Sequence, residues 1–357
     1  MYFGTSSLYF EAIRENDKTM SGLVRSASLT HFAQIAAACD LDARALVAEV
    51  NLPRRCLDEP DLLIPVQAVE HLLELAAARG AEPAFGLRMA ESRRLSTLGP
   101  LGLRVRDEPT LRHALDAIVR HIHMHGESVA VSVEQEGNLV TIRVEIAAID
   151  GQSVRQAIEM ALGTTYRVLS VFLGVSWRPQ RVCFMHHVPA STAVHRRVFG
   201  PVVEFGQEFN GIVCNAADLD APNPGADPVM ARYTHKLLEQ LPNREARVTD
   251  RVRQLIVLLL PRGHCRVEMV AQHLGVDRRT VARRLAEEGT TFSALVEGMR
   301  RDLLSRYLKD GARPLAEVST LLGFSGPSTF AQWHRIQFGV AARTRVRTSH
   351  KRTLDLS

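Results

Sequence analysis

Two stretches in the last third of the chain carry one apolar pattern twice. Val267, Val270, Ala271 and Leu274 are spaced by three, one and three, and Leu315, Val318, Ser319 and Leu322 repeat that spacing with one serine in the set. Such spacing puts four residues on one face of a short helix. Gly275 and Gly323 follow where a left-handed residue turns the chain out of a helix, and Asp277 and Ser325 stand where an N-cap opens the next one. The predicted unit is helix, tight turn, helix, written twice, and two such units in tandem point to a DNA reader. Between them Phe292, Leu295, Val296, Met299, Leu303 and Leu304 form one stripe, so residues 292–308 are expected to be a single helix roughly 25 Å long. A spacer of that length suits two recognition helices in successive major-groove segments, about 34 Å apart, on a bent duplex or with an oblique approach.

Upstream the periods are mixed. Residues 29–57 are alanine-rich with helical spacing, and 65–79 form an amphipathic helix with Val69, Leu72, Leu73 and Ala76 inward. A helix over 110–125 follows the turn residues Asp107, Glu108 and Pro109, and 153–173 reads as a long helix. In 129–146 the period becomes two. Val129, Val131 and Val133 alternate with polar residues, Glu136, Gly137 and Asn138 supply turn chemistry, and Val140, Ile142, Val144 and Ile146 alternate again, which predicts a β-hairpin. Residues 181–185, 202–205 and 211–214 read as further strands. Helices beside an antiparallel sheet make an α+β N-terminal domain, and the C-terminal part reads as an all-α domain with two helix-turn-helix motifs joined by a linker helix. Three prolines within 220–228 mark the boundary. A connecting helix at 228–241 and a break at Pro242-Asn243 then lead to 248–260, the first helix of the C-terminal domain. The expected organisation is an irregular extension at 1–20, an N-terminal domain at 21–219, a linker at 220–247, the double motif at 248–348 and a basic tail at 349–357.

Charge separates the same two parts. Residues 244–357 hold 21 Lys and Arg against 11 Asp and Glu, a net of +10, and the formal total of +5 therefore leaves −5 to the first 243 residues. A basic C-terminal third on an acidic remainder implies a polyanionic partner for one part only. On a helical wheel with Val281 and Leu285 inward, Arg279 and Arg283 fall nearly opposite and Arg278 and Arg284 flank them. Guanidinium groups placed so can fork onto guanine edges or grip phosphates. In the second motif an inward Phe330 leaves Ser328, Gln332 and Arg335 outward, so this helix offers mostly neutral hydrogen-bonding groups. The first motif is expected to supply most of the charge and the second a weaker or more selective readout. The plainer alternative is that these are ordinary solvated faces.

The rest of the composition narrows the class. The chain of 357 residues is long enough for two domains with their own cores. Five cysteines, Cys39, Cys56, Cys183, Cys214 and Cys265, lack paired spacing, so neither a zinc site nor a disulfide framework is indicated and a reducing cytoplasm fits. The longest aliphatic run, 255–260, is too short to cross a bilayer, and no signal-peptide pattern opens the chain, so a soluble protein without membrane contact is expected. His121, His123 and His125 alternate and His186-His187 lies further on. On a helix His121 and His125 share a face at metal-pair spacing, but no carboxylate completes a site and a pocket-lining or helix-end role fits them better. No phosphate-cradling glycine loop, nucleophile elbow or HExxH helix appears, so no catalytic residue, metal or cofactor is assigned and the chain is not read as an enzyme. Two other readings stay open: a metal- or metabolite-dependent enzyme or sensor fused to a DNA anchor, and a constitutive architectural DNA binder.

At this point the chain resembles the AraC/XylS family of transcriptional regulators. Residues 274–292 look like that family's first recognition helix, 300–308 like its linker helix, and Leu321-Leu322-Gly323-Phe324-Ser325-Gly326-Pro327-Ser328-Thr329-Phe330 like its most recognisable signature. The resemblance implies base contacts at Arg279, Ala282 and Arg283 in the first helix and at Ser328, Thr329 and Gln332 in the second. Arg278, Thr280, Arg284, Ser325 and Arg335 complete the candidate DNA-binding set. The chain departs from the family pattern in placing Gln332 where an arginine is usual, His334 where an aromatic is usual, and Ala341, Ala342, Arg345 and Val346 where Ser-Pro and Tyr-Arg are usual. The N-terminal part is similar to the ligand-sensing and dimerisation domain of the arabinose-binding subgroup through 61–65, Phe85-Gly86-Leu87-Arg88, Leu98-Gly99-Pro100-Leu101-Gly102 and Phe199-Gly200-Pro201. That resemblance implies an effector pocket for a small molecule of unspecified identity and a homodimer contact. The partners it implies are a double-stranded DNA operator and RNA polymerase.

Overall fold

A computed structural model of the chain describes residues 22–147, 153–240, 247–263, 265–309 and 313–339. The extension at 1–20, the break at Pro242-Asn243, the tail at 349–357 and the departures at Ala341, Ala342, Arg345 and Val346 lie outside the described residues. Strand β1 (Leu23–Arg25) pairs antiparallel with β2 (Leu63–Pro65). The alanine-rich stretch between them is not one continuous helical run. It divides into α1 (Phe32–Ala37) and α2 (Ala43–Glu49) with 3-10 turns at Ser26–Leu29 and Arg54–Leu57. The cause is local: Asp40 and Asn51 take positive φ, and the Asp42 carboxylate restarts the helix by accepting the backbone N–H of Arg44 and Ala45.

Helices α3 (Val66–Arg79), α4 (Phe85–Ala90), α5 (Pro100–Arg106) and α6 (Leu111–His121) follow. The expected 110–125 helix ends at His121, and Ile122–Met124 continue as a 3-10 turn. Strands β3 (Val129–Glu136) and β4 (Leu139–Ile146) form the hairpin, in a register that pairs Val131 with Val144 and Val133 with Ile142. Gly137, at a φ of +59°, makes the two-residue turn. After α7 (Arg155–Leu173) come β5 (Arg181–Phe184), α8 (Ala193–Phe199), β6 (Val203–Phe205), β7 (Gly211–Asn215) and the single turn α9 (Ala216–Leu219). The five-stranded sheet has the order β3-β4-β7-β5-β6. It is not wholly antiparallel: β5 and β6 run parallel, because the connection through α8 carries the chain back to the starting end. Helices and sheet share one core that runs from Val24 to Leu219 and includes Phe32, Leu72, Ile142, Leu169 and Phe184.

The proline-rich segment is fastened to this domain. Asn223 Nδ2 donates to the carbonyls of Arg106 and Glu108 at 3.0 and 2.9 Å, and Asp220 accepts two bonds from Arg112. Helix α10 (Pro228–Gln240) then packs against α5. The described residues of the C-terminal region form helices joined by turns: α11 (Val248–Leu259), α12 (Val267–Leu274), α13 (Arg278–Glu287), α14 (Phe292–Lys309), α15 (Leu315–Leu321) and α16 (Pro327–Phe338). The repeated apolar pattern does what its spacing predicts. Val270 and Ala271 are buried in one copy, Val318 and Ser319 in the other, and Gly275 and Gly323 end their turns at φ +67° and +70°. Two small cores result, one around Val252, Ile256, Val281 and Leu285, the other around Leu304, Val318, Leu322 and Phe330, each collecting one residue of the N-terminal sheet region, Ala147 and Met185 respectively.

Candidate nucleic-acid interface and internal cavity

Helix α13 forms where Asp277 caps it. Its carboxylate accepts the Thr280 backbone N–H at 2.8 Å and the Thr280 hydroxyl at 2.9 Å, and these bonds hold its pKa below the usual carboxylate value. Val281 and Leu285 are fully buried, so the helix has one fixed rotation. That rotation leaves Arg278, Arg279, Ala282, Arg283 and Arg284 exposed, while Thr280 is half-buried with its hydroxyl committed to the cap. Two of the four arginines are held by surface carboxylates: Arg278 Nη1 lies 3.2 Å from Glu268, and Arg283 Nη1 lies 2.6 Å from Glu287. Such exposed pairs are worth little and open readily toward a stronger anion.

The second pair reaches the same form by other means. The cap of α16 is Gly326, not Ser325. Extended Gly326 precedes Pro327 at the first helical position, and Ser325 instead sits 3.3 Å from the Thr329 hydroxyl, which donates to the Gly326 carbonyl at 2.8 Å. Pro327, lacking an N–H, leaves the start of the helix with one fewer donor to satisfy, and no side chain caps it. Ser325, Ser328, Thr329, Gln332 and Arg335 are exposed, and Phe330, Trp333 and His334 are buried. Ile336, 73% exposed one turn beyond Gln332, belongs to the same outer face and was missed from sequence, although its i+4 spacing from Gln332 was the available signal. An exposed isoleucine there offers apolar contact to a thymine methyl.

Helix α14 fixes the second pair through its own side chains. Arg300 donates to the Leu322 carbonyl at 3.1 Å and lies 4.4 Å above the Phe324 ring, and Glu297 takes both Arg300 and the Trp333 indole N–H. Both pairs are also tied to the N-terminal domain. Gln254 Nε2, on buried α11, donates to the carbonyls of Glu127 at 2.8 Å and Val129 at 3.0 Å. Arg313, just before α15, donates to the carbonyls of Met185 and Gln207, and its other nitrogen pairs with Glu317.

Inside the N-terminal domain, α3, α6, α7 and the β3–β4 hairpin enclose a cavity of about 100 Å³. Fifteen of its 22 lining residues are aliphatic or methionine, so its walls exclude a ligand with many hydrogen-bonding groups. Seven polar residues interrupt that surface, and five of them, Ser28, Glu70, Arg93, His125 and Ser128, are each at most 9% exposed. Burial pushes Glu70 up to about 8, with Arg306 opposing, lowers Arg93 to about 10, and pushes His125 down to about 3, Arg93 and Arg25 adding to that last shift. His125 lies past the end of α6 and so does not share a helix face with His121. The His121 ring sits 2.9 Å from the Ala117 carbonyl, a helix-end role. A separate cluster lies under β5, where fully buried Glu159 is 3.0 Å from Arg155 and 3.3 and 3.4 Å from His195 and His186. Burial pushes His186 down to about 4 against the pull of Glu159. A wider cleft of about 340 Å³ separates β3 from α11 and α12, lined in part by His123, Arg251 and His273.

The subgroup's sequence motifs have structural causes. Asp61 pairs with buried Arg25, and Gly99, at φ +59°, lies so close beneath the Arg25 guanidinium that a Cβ there would collide with it.

Residues 41–223 match the family model described as the arabinose-binding domain of AraC transcription regulators, N-terminal, and residues 270–347 match a helix-turn-helix domain model. The chain is similar to the HTH-type transcriptional regulator VirS of Mycobacterium tuberculosis, with 28% identity over 328 residues that cover 91% of this chain and 96% of that protein. It is also similar to the ornithine utilization regulator of Pseudomonas aeruginosa, with 28% identity over 300 residues, 82% of this chain and 87% of that one. Among solved structures, that of the transcriptional regulator CdpR from Pseudomonas aeruginosa aligns over 85% of this chain and 96% of that one at 21% identity, with a TM-score of 0.42.

Proposed function

The chain belongs to the family of AraC-type transcription regulators with an arabinose-binding-type N-terminal domain and a helix-turn-helix DNA-binding region, and from that premise we propose how it reads DNA and what controls it. Helices α12–α13 and α15–α16 act as two helix-turn-helix readers joined by the linker helix α14. The observation that carries this reading is the outward row on α13, where Arg279, Ala282 and Arg283 oppose the buried Val281 and Leu285. A helix so rotated can enter a major groove with its guanidinium groups on base edges. Arg278, Thr280 and Arg284 flank that row toward the phosphates. On α16, Ser328, Thr329, Gln332 and Arg335 supply the second contact, with Ser325 at its entrance. Linker α14, with 18 residues, is about 27 Å long, which suits readers set one helical turn apart on a bent duplex.

In this reading residues 21–219 form the effector-binding and dimerisation domain, 220–247 the linker and 248–348 the DNA-binding domain, a division supported by the separate apolar cores. The protein works in the cytoplasm as a homodimer on an operator, does not act as an enzyme, and contacts RNA polymerase when bound. A small-molecule effector enters the cavity between the helices and the hairpin and changes how the readers are held. No helix among the described residues is long and apolar enough to cross a membrane. The test is selection of duplexes from a random pool by the full-length protein, followed by titration at several salt concentrations. An enriched site with two elements about one turn apart is expected, bound at least about a thousandfold tighter than random DNA. No enrichment, with binding that disappears as salt rises, refutes sequence-specific reading.

A further inference from the structure

Arg25 and Arg93 are both buried but differ in their partners. Arg25 has its counter-ion, since Asp61 accepts from its Nε at 3.0 Å and from a terminal nitrogen. Arg93 has none. It is 3% exposed, one terminal nitrogen donates to the Ser28 carbonyl and the Met160 sulfur, and its Nε has no hydrogen-bond partner among the described residues. Glu70, the carboxyl that shares the cavity wall, is not its partner, for neither charge acts appreciably on the other. A guanidinium taken out of water without an anion costs several kcal/mol, and a fold that keeps it beside a cavity leaves that cost open to be offset by whatever enters.

Arg93 is not alone. Ser28 Oγ, His125 Nδ1 and Glu70 Oε1 are also buried without partners among the described residues, and all three line the same cavity. His125 stays neutral because the neighbouring guanidinium groups and burial oppose its protonation, so its ring N–H is a hydrogen-bond donor or its bare nitrogen an acceptor, as a ligand requires. Apart from Ser128, Thr164 and Thr165, the remaining wall is Val, Leu, Ile, Ala and Met. Thr164 and Thr165, which might have offered hydroxyls, spend their protons on the carbonyls of Met160 and Ala161. A pentose, with a hydroxyl on nearly every carbon, would leave most of those groups unpaired against such walls.

We propose that the cavity binds a small amphipathic monocarboxylate, with the carboxylate on Arg93, Ser28 and His125 and a short hydrocarbon or single aromatic ring against the aliphatic wall. The inference rests on the effector reading above and names the class of effector. A cavity of about 100 Å³ admits something near the size of one benzene ring, which sets the upper bound on the apolar part once Met160 adjusts. Short chains or a single ring are accommodated only as the wall adjusts, and long-chain acids are excluded.

The test uses full-length protein and four probes, hexanoate, benzoate, hexanol and benzamide, with L-arabinose as a fifth, each read by thermal stabilisation and by calorimetric titration. Hexanoate or benzoate is expected to raise the melting temperature, the matched neutral compounds to do so at least about tenfold less effectively in concentration, and arabinose not at all. Arg93→Met, which replaces a lone buried cation with an apolar chain of similar length, is expected to fold at least as well as wild type and to lose the tenfold preference for the acid. Arg93→Lys keeps the charge and is expected to retain part of it. Equal response to hexanoate and hexanol, response to arabinose, or an Arg93→Met protein that still prefers the acid overturns the assignment. So does absence of any response in wild type. Failure of the operator selection with carboxylate binding intact would overturn DNA reading and leave this site standing. A neutral ligand that changes operator affinity would keep the effector reading and remove the carboxylate.

Discussion

In the proposed reading Arg283 is the side chain on which base reading by α13 turns, and its loss has a magnitude that follows from its surroundings. In the free protein its Nη1 lies 2.6 Å from Glu287, four residues on, with side chains 62% and 58% exposed. An exposed pair of that spacing contributes about 0.3–0.5 kcal/mol, so the guanidinium leaves it at little cost. A bidentate contact to a base edge contributes about 1–3 kcal/mol of discrimination. Arg283→Ala therefore weakens operator binding about 5- to 150-fold while altering folding stability by less than about 0.5 kcal/mol, since the residue makes no buried contact. Fluorescence anisotropy on the selected operator and on every single-base variant, at several salt concentrations, reads both effects. The expected result is a loss confined to the cognate base, with discrimination at that one position erased and the salt slope nearly unchanged. An equal loss on every sequence with a slope smaller by about one would show a phosphate contact, and no loss would remove Arg283 from the interface. Glu287→Gln, which frees the arginine, is expected to leave affinity within about twofold of wild type.

Gly323→Ala places a Cβ 2.6 Å from the Leu260 carbonyl at a φ of +70°, so about 1–3 kcal/mol of stability should be lost, read as a melting temperature lower by several degrees; an unchanged value refutes the contact. Gln254→Leu keeps the volume but leaves the carbonyls of Glu127 and Val129 without their donor, at about 1–3 kcal/mol, and hydrogen exchange in α11 and the start of β3 should accelerate; unaltered protection would mean that water replaces the amide. Glu70 carries a pKa pushed up to about 8 by burial, so the folded state binds the extra proton. Its contribution is complete below about pH 4.5 and is lost as pH rises toward 8, with a ceiling of roughly 5 kcal/mol. In denaturant unfolding, wild type should lose stability relative to Glu70→Gln across that window, and parallel curves for the two proteins would show that Glu70 is ionised when folded.

The C-terminal helices were legible because their information is local. A four-residue apolar face, a glycine and a cap suffice to predict each pair, and Val270, Val318, Val281 and Phe330 are buried as that pattern requires. The hairpin was legible for the same reason, its period of two broken only at Gly137. What the pattern could not carry was pairing at a distance. The β1–β2 ladder joins Leu23 to Pro65 across two helices, and the parallel match of β5 with β6 depends on α8 between them. The short helices α4, α5 and α8 are each six or seven residues, too few turns for a period to show. The exposed face of α13 followed from a helical wheel, but the Thr280 hydroxyl's commitment to Asp277 and the shift of the α16 cap to Gly326 depend on side-chain geometry. Nothing in the sequence distinguishes Arg93 from the other arginines. Its lack of a counter-ion is a property of the packed domain alone.

The two helix-turn-helix units are anchored to the N-terminal domain at different distances from its cavity, and in the proposed reading that difference limits how an effector can act. Gln254 grips the carbonyls of Glu127 and Val129, which flank Ser128, and Ser128 and Val129 both line the cavity. Arg313 grips Met185 and Gln207, neither of which does. A ligand that moves the hairpin therefore acts first on α11 and the first reader, while the second keeps its hold. The linker helix supplies a second route, because Arg306 of α14, only 6% exposed, acts electrostatically on Glu70 in the cavity wall as well as on half-buried Glu145. A ligand that displaces Glu70 in the cavity wall therefore changes the electrostatic surroundings of Arg306. Both routes run to elements joined at α14, so the expected response is a change in the angle between readers rather than release of the pair. Hydrogen exchange with and without hexanoate distinguishes the cases: altered protection in α11 and α14 with α15 unchanged fits the unequal anchoring, and a uniform change through all six C-terminal helices refutes it.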